Sequence, residues 1–214
     1  RGDMLSLGSV LITTQEQNGV GGRFSNLSGT IESVGDLQIE AAQIENARED
    51  FATRTYKYSA RLVHVGCTDC SGDKENSLFR LDEIDRTEVT RNSPQAMLLS
   101  GGDMRLQGQQ VDNRYSLVAA GGNLYIDTQR LNNQGAQTGD VSQSRVLVSH
   151  RVRPTSGQIS AANAFSARNW HDSSRYNPGN IASELNSFIN NYIYREYSRT
   201  EPVLNNVEHY PAIL

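Results

Sequence analysis

Only two cysteines occur in 214 residues, Cys67 and Cys70, so no multi-bridge disulfide framework holds this chain together. Low cysteine usage alone does not fix the compartment. No apolar run approaches the length that spans a bilayer. There is no basic stripe: the formal net charge is −4, which excludes duplex nucleic acid as the expected partner. The four histidines, His64, His150, His171 and His209, show no paired metal spacing. No phosphate-binding loop and no G-x-S-x-G nucleophile motif is present, so Trp170-His171-Asp172 lacks a companion for catalysis. No metal, cofactor or enzymatic activity is therefore expected. The chain opens at Arg1 without a signal peptide and stops at Ala212-Ile213-Leu214, so both ends read as cuts inside a longer protein.

What is abundant is polar and turn-forming. Hydrophobic residues make up 36% and charged residues 21%, with Gly, Asn, Ser and Gln plentiful, as in a chain of many short strands and corners. Within it lies a repeat. Counted from Gly35, apolar residues stand at −4 (Ile31), +2 (Leu37), +4 (Ile39) and +9 (Ile44), with Asn46 at +11. Counted from Gly102, the same offsets hold Leu98, Met104, Leu106, Val111 and Asn113; from Gly122 they hold Val118, Leu124, Ile126, Leu131 and Asn133. Gly102 and Gly122 are 20 positions apart, and Asp36, Asp103 or Asn123 follows each glycine.

The alternation at +2 and +4 predicts a strand with one buried face. The Gly-Asp or Gly-Asn pair before it predicts a corner with positive φ, and Asn at +11 a second corner in the left-handed conformation. One such coil cannot bury its inner face alone. Stacked coils can, with strands about 4.8 Å apart. The pattern predicts an all-β, right-handed parallel β-helix of coils about 20 residues long, its handedness taken from the usual crossover preference. A degenerate first copy is placed with Asp3 as zero, giving Leu5, Leu7 and Ile12, and a loop at Asn18-Gly19-Val20-Gly21-Gly22. On that reading Arg1-Gly2-Asp3 is a repeat corner and not an integrin-type tripeptide.

Two interruptions break the repeat. Gly35 to Gly102 is 67 positions, 47 beyond the 20 of one coil. Tyr56, Tyr58, Ala60 and Leu62, then Phe79 and Leu81, alternate around Gly66-Cys67-Thr68-Asp69-Cys70-Ser71-Gly72-Asp73, which predicts a long β-hairpin with the cysteines at its tip. After Asn133, Val146, Val148, His150 and Val152 alternate as a strand, and an extended stretch is expected from Ser156-Gly157 towards Trp170. Ile181, Leu185, Phe188, Ile189, Tyr192 and Ile193 then follow helical spacing, predicting one α-helix over about 181–197 with Asn180 as N-cap. The expected domains are β-helix coils over 1–46, an inserted hairpin over 47–93, coils over 94–136, an excursion of strand plus helix over 137–208, and a return to the β-helix over 209–214. Both excursions leave at offset +11, so they are expected on one flank, packed into a common lobe.

The windows Gly35-Asp36-Leu37-Gln38-Ile39 and Gly122-Asn123-Leu124-Tyr125-Ile126, continued by Leu131-Asn132-Asn133-Gln134-Gly135, resemble filamentous-haemagglutinin repeats. The interrupted region, with Val65-Gly66-Cys67-Thr68-Asp69-Cys70 and Asn113-Arg114-Tyr115-Ser116-Leu117, is similar to the central part of CdiA-type contact-dependent growth inhibition exoproteins. The resemblance covers about half of the chain and is specific to architecture more than to any one member. It implies a secreted, cell-surface adhesin stalk exported by two-partner secretion. Its implied partners are neighbouring coils of the same exoprotein and a receptor, protein or lipopolysaccharide, on a target cell's outer membrane.

In that setting Cys67 and Cys70 read best as a local disulfide stapling an exposed tip, ahead of a redox site or a zinc site. Tyr and Trp favour interfaces, and the aromatics gather in the interruptions; Tyr56, Tyr58, Trp170 and Tyr194 are the candidate receptor contacts. Gly35, Asp36, Gly102, Asp103, Gly122 and Asn123 are assigned to repeat corners. Two other functions stay open: a purely structural spacer, and a carbohydrate-active enzyme with carboxylates ranged along one face of the β-helix.

Overall fold

The computed structural model describes residues 2–16 and 19–214 and is mostly β. Strands β1 (Met4–Ser6), β2 (Val10–Thr13), β3 (Gln15–Glu16), β4 (Gly19–Val20), β5 (Arg23–Leu27), β6 (Thr30–Ser33), β7 (Leu37–Glu40) and β8 (Gln43–Ala47) open the chain. Two long strands follow, β9 (Phe51–Asp69) and β10 (Asn76–Asn92), then β11 (Met97–Ser100), β12 (Met104–Arg114), β13 (Leu117–Ala120), β14 (Leu124–Gln134) and β15 (Ala136–Ser149). Helices α1 (Ser156–Asn169) and α2 (Ile181–Tyr192) precede β16 (Ile193–Arg199) and β17 (Val203–Tyr210). The chain divides into two compact units. Unit 1 holds residues 2–53, 89–137 and 208–214, and unit 2 holds 54–88 and 138–207.

Unit 1 is built from parallel strands contributed by successive coils. One sheet runs β1-β6-β11-β13; another runs β2-β7-β12-β8-β5, with β14 also paired to β12. Equivalent offsets stack on one another: Leu37, Met104 and Leu124 align, as do Ile39, Leu106 and Ile126, and Ile44, Val111 and Leu131. Their side chains form one cluster in which Leu37, Ile39, Ile44, Leu98, Met104, Leu106, Val111 and Val118 are fully buried. Leu124 and Ile126 pack against it, half-buried. Leu131, expected inside, is 48% exposed. It belongs to β14, which among the described residues pairs only with β12, so its outer side has no strand to cover it.

The first coil is not in the register read from Asp3. Val10 aligns with Leu37 and Ile12 with Ile39, so Gly8 takes the place of Gly35, 27 positions earlier, and Ser9 that of Asp36. Leu5 and Leu7 are exposed. Phe24 and Asn26 fill offsets +9 and +11, aligned with Ile44 and Asn46, after the intervening loop. That loop was expected at 18–22, and its Asn18 lies outside the described residues, as does Arg1 of the Arg-Gly-Asp tripeptide; Asp3 itself accepts the Thr30 N–H.

Two polar ladders run up the coils. At the first corner Ser9 Oγ accepts the Asp36 N–H (3.1 Å), Asp36 Oδ1 accepts the Asp103 N–H (2.8 Å), and Asp103 Oδ1 accepts the Asn123 N–H (2.8 Å). The corner glycines are explained by this ladder and not by positive φ, which the described backbone adopts at Gly22, Gly66, Gly72 and Gly139 instead. A Cβ on Gly102 or Gly122 would collide with the carboxylate of Asp36 or Asp103 in the coil beneath. At the second corner the side-chain amide of Asn26 donates to Asn46 (2.9 Å), Asn46 to Asn113 (3.0 Å), and Asn113 to Asn133 (2.9 Å). The same amides satisfy backbone carbonyls of the turn, those of Gly29, Leu117 and Ser116. The left-handed backbone expected at this corner falls two residues later, at Ser28 and Tyr115. The returning chain joins the ladder: Asn133 donates to the Ala212 carbonyl (2.9 Å), Asn113 to that of Ile213 (3.1 Å), and Ile213 bridges Leu117.

Unit 2 follows different rules. β9 and β10 form a hairpin, β15 pairs antiparallel to β10, and β16 and β17 both pair with β15. The two interruptions thus share one sheet. Helices α1 and α2 cover it, and Ala60, Leu62, Phe79, Leu81 and Leu147 of the sheet close a core with Ala162, Phe165, Ile181, Leu185 and Phe188. The single expected helix is two. α1 occupies the stretch read as extended; its Ser, Asn and Gly content gives no clear apolar stripe, and burial of Ala162 and Phe165 decides its conformation. α2 ends at Tyr192 and not near 197, because Ile193 begins a strand paired through Ser149. Tyr, Ile and Arg beyond it serve a sheet as well as a helix.

The ladder and the core make unequal demands. Asn113→Ala removes four hydrogen-bond partnerships at a fully buried site and is expected to lower stability by about 3 kcal/mol. Leu131→Ala, at an exposed position, is expected to cost less than about 1 kcal/mol. Urea unfolding of both variants checks the contrast.

Candidate recognition site

The aromatic candidates all lie in unit 2, but the structure does not gather them into one cluster. Tyr58 sits under Arg86, whose guanidinium carbon is 3.5 Å from the ring centroid, and beside His171 (5.8 Å) and Tyr176 (6.1 Å). Trp170 follows the last turn of α1, packs on His171 (4.5 Å) and carries Arg61 on its ring at 4.1 Å. These two therefore meet through His171. Tyr56 donates its hydroxyl to Glu88 (3.2 Å) under Arg54. Tyr194 stands apart, 62% exposed, and among the aromatic rings of the described residues only that of His150 lies near it.

The alternation of β10 separates two faces of the sheet. Phe79 and Leu81 enter the helix-packed core; Arg80, Asp82 and Ile84 point the other way. On that second face lies an open groove of about 600 Å³, walled by Arg61, Arg80, Asp82, Ser144 and Trp170 and rimmed by Thr200, Glu201 and Val203. Of these, only Trp170 stood out in the sequence. The signal that could have found the others is charge: β9 carries Arg54, Lys57 and Arg61, while β10 carries Asp82, Glu83, Asp85 and Glu88. The structure pairs Arg54 with Glu88, Lys57 with Glu83 and Asp85, and Arg61 with Asp82. Burial pushes the Asp82 carboxyl up, but hydrogen bonds from Ser144, Arg61 and Arg80 outweigh it and hold it below the usual carboxylate range.

One constellation looks catalytic and is used structurally. Ser59 Oγ lies 2.9 Å from His171 Nδ1, and His171 Nε2 lies 3.2 Å from Asp172. Ser59 is fully buried, and its oxygen also accepts the His171 backbone N–H at 3.0 Å. The three side chains tie the end of α1 to β9, and the hydroxyl has no open face for a substrate. At the hairpin tip Cys67 and Cys70 are disulfide-bonded with Cα atoms 5.7 Å apart, and the neighbouring Asp69 and Asp73 pair with Arg151 and Arg153.

A model of the haemagglutinin repeat matches residues 5–56 and 81–169, about two thirds of the chain. The chain belongs to the haemagglutinin-repeat family. Proteins of this family are secreted, adhesin-like surface proteins. No curated protein and no solved structure matches the chain. Among the described residues no helix is long and apolar enough to cross a membrane. The matched segments include unit 1 from residue 5 to residue 137, leaving out its returning segment, and, in unit 2, the Arg86–Asp140 pair that braces Tyr58.

That pair gives a pH signature. Arg86 donates to both carboxylate oxygens of Asp140 (2.8 and 3.0 Å) and, with Asn206, holds its carboxyl below the usual range. A carboxylate whose pKa is depressed on folding stabilises above its unfolded value, near 4, and loses that contribution as pH falls through the folded value. Asp140→Asn is expected to cost about 2 kcal/mol at pH 7. The gap to the parent should close as pH falls below about 4, measured by urea unfolding across the acid range. The tip disulfide closes a very short loop, so Cys67→Ser with Cys70→Ser should cost at most about 2 kcal/mol. Thiol labelling of exported material should find no free thiol.

Proposed function

We propose that this chain is a non-catalytic segment of a contact-dependent inhibition exoprotein. Unit 1 serves as the stalk, a right-handed parallel β-helix continued by neighbouring coils, and unit 2 as the part that recognises an outer-membrane receptor, protein or lipopolysaccharide, on a target bacterium. The observation that carries this reading is the division of labour between the units. The stacked parallel strands with their buried ladders belong to unit 1, whereas Tyr56, Tyr58, Trp170, Tyr194 and an open groove belong to unit 2. Binding residues concentrate on segments displayed by a rigid scaffold.

A purely structural spacer is the second reading. It is favoured by one observation: Tyr56 and Tyr58 are already engaged by arginines and by hydrogen-bonded neighbours. Cell binding separates the two. The labelled chain should bind target cells, and binding should vanish on a strain lacking the receptor. A Trp170→Ala, Tyr194→Ala variant that still unfolds cooperatively should bind at least about tenfold more weakly, a loss of about 1.4 kcal/mol. Binding indifferent to both changes would leave the spacer.

A further inference from the structure

The groove of unit 2 offers hydrogen-bond donors and few free acceptors. Asp82 is saturated: Oδ1 accepts from Arg80 Nε (3.0 Å) and Ser144 Oγ (2.7 Å), and Oδ2 accepts from Arg61 Nε (2.8 Å) and Arg80 Nη2 (3.2 Å). Two guanidinium groups thus share one carboxylate. Among the described residues the Nη atoms of Arg61 and Nη1 of Arg80 have no hydrogen-bond acceptor, and the two side chains are 38% and 40% exposed. Arg61 is not a loosely waving surface charge: its guanidinium is held through Nε by Asp82 and stacked on the Trp170 ring. Two further acids line the groove: Glu83, paired with Lys57 and Arg145, and Glu201 on the rim, which makes no ion pair among the described residues.

We propose that this groove binds an acidic saccharide, a sugar chain carrying carboxylate or phosphate groups. A fixed guanidinium with a free edge meets a carboxylate or phosphate in the two-point geometry that lysine cannot offer. The Trp170 indole, packed on His171 and covered by Arg61 at 4.1 Å, holds that guanidinium in place at the groove wall. The volume of about 600 Å³ falls within the range of ligand-sized clefts and is open along its length, which suits a short oligosaccharide more than an enclosed small molecule. An acidic peptide is the lesser fit. Peptides docked on sheets use a free strand edge or apolar pockets for alternate side chains, and this groove lies on a sheet face with only Ile84 and Val203 as aliphatic lining.

The proposal rests on unit 2 being the recognition element, and its test keeps the two ideas separate. The whole chain is applied to a glycan array carrying uronate, sialylated, sulfated and phosphorylated oligosaccharides beside their neutral parents. Binding to acidic members at least about tenfold above the neutral ones is expected, falling as salt rises. Arg80→Gln, with an unchanged thermal transition, should lose at least tenfold, whereas Glu201→Gln should bind about threefold tighter. An array with no acidic binder, equal binding to neutral sugars, a Glu201→Gln variant that binds no better, or equal competition by oligoglutamate would each overturn the proposal. If the chain binds target cells yet fails on the array, the saccharide groove is wrong and the adhesin reading stands. If it binds acidic glycans but no cells, the groove is supported and the adhesin reading is contradicted.

Discussion

The contact on which unit 1 depends is the hydrogen bond from one asparagine amide to the next, from Asn26 through Asn46 and Asn113 to Asn133. The apolar core is the larger energy, but it is indifferent to detail: Leu, Ile, Met and Val occupy its equivalent offsets interchangeably. A buried amide is not. Asn46 and Asn113 are sealed from water, and each needs both its neighbour in the next coil and a turn carbonyl, that of Leu117 for Asn46 and of Ser116 for Asn113. A shift of two residues between coils would keep Leu106 inward but leave those amides without their partners. The ladder therefore selects one stacking from several that the core would accept. The Ser9-Asp36-Asp103-Asn123 corner repeats the device on the exposed side.

Much of this was legible because the repeat writes it three times. Gly35, Gly102 and Gly122 with their offsets gave the stacked positions and nearly all of the core. The first coil was misread because its corner is Gly8-Ser9, where a hydroxyl stands in for the carboxylate, and because a loop separates Val10 and Ile12 from Phe24 and Asn26. The reason assigned to the corner glycines was also wrong. Close approach of an aspartate from the coil beneath leaves no sign in a single coil's sequence; it exists only once coils are stacked. Leu131 fits the repeat as well as Val111 does, and a pattern cannot say which coil is left uncovered.

Unit 2 was legible in part. The hairpin and α2 follow from alternation and helical spacing, while α1 carries too little apolar periodicity to declare itself. The aromatics drew attention, yet the groove is made chiefly by arginines and aspartates whose meaning lies in cross-strand pairing. Tyr58 shows the difficulty: its neighbours Arg86, Tyr176 and His171 come from three separate stretches of chain. The ladders of unit 1 and the ion pairs of the unit 2 groove share no residue, so the groove can change while the ladders are kept.

Hydrogen exchange of the asparagine side-chain amides, followed by NMR, tests the central claim most directly. Amide protons of Asn46 and Asn113 that take part in the ladder should exchange as slowly as the backbone amide of Leu106, through opening of the whole unit, while those of Asn133, exposed at the outer coil, exchange faster. Rapid exchange at Asn46 and Asn113 beside a protected Leu106 would show that the coils hold their register without the ladder, and would contradict this account.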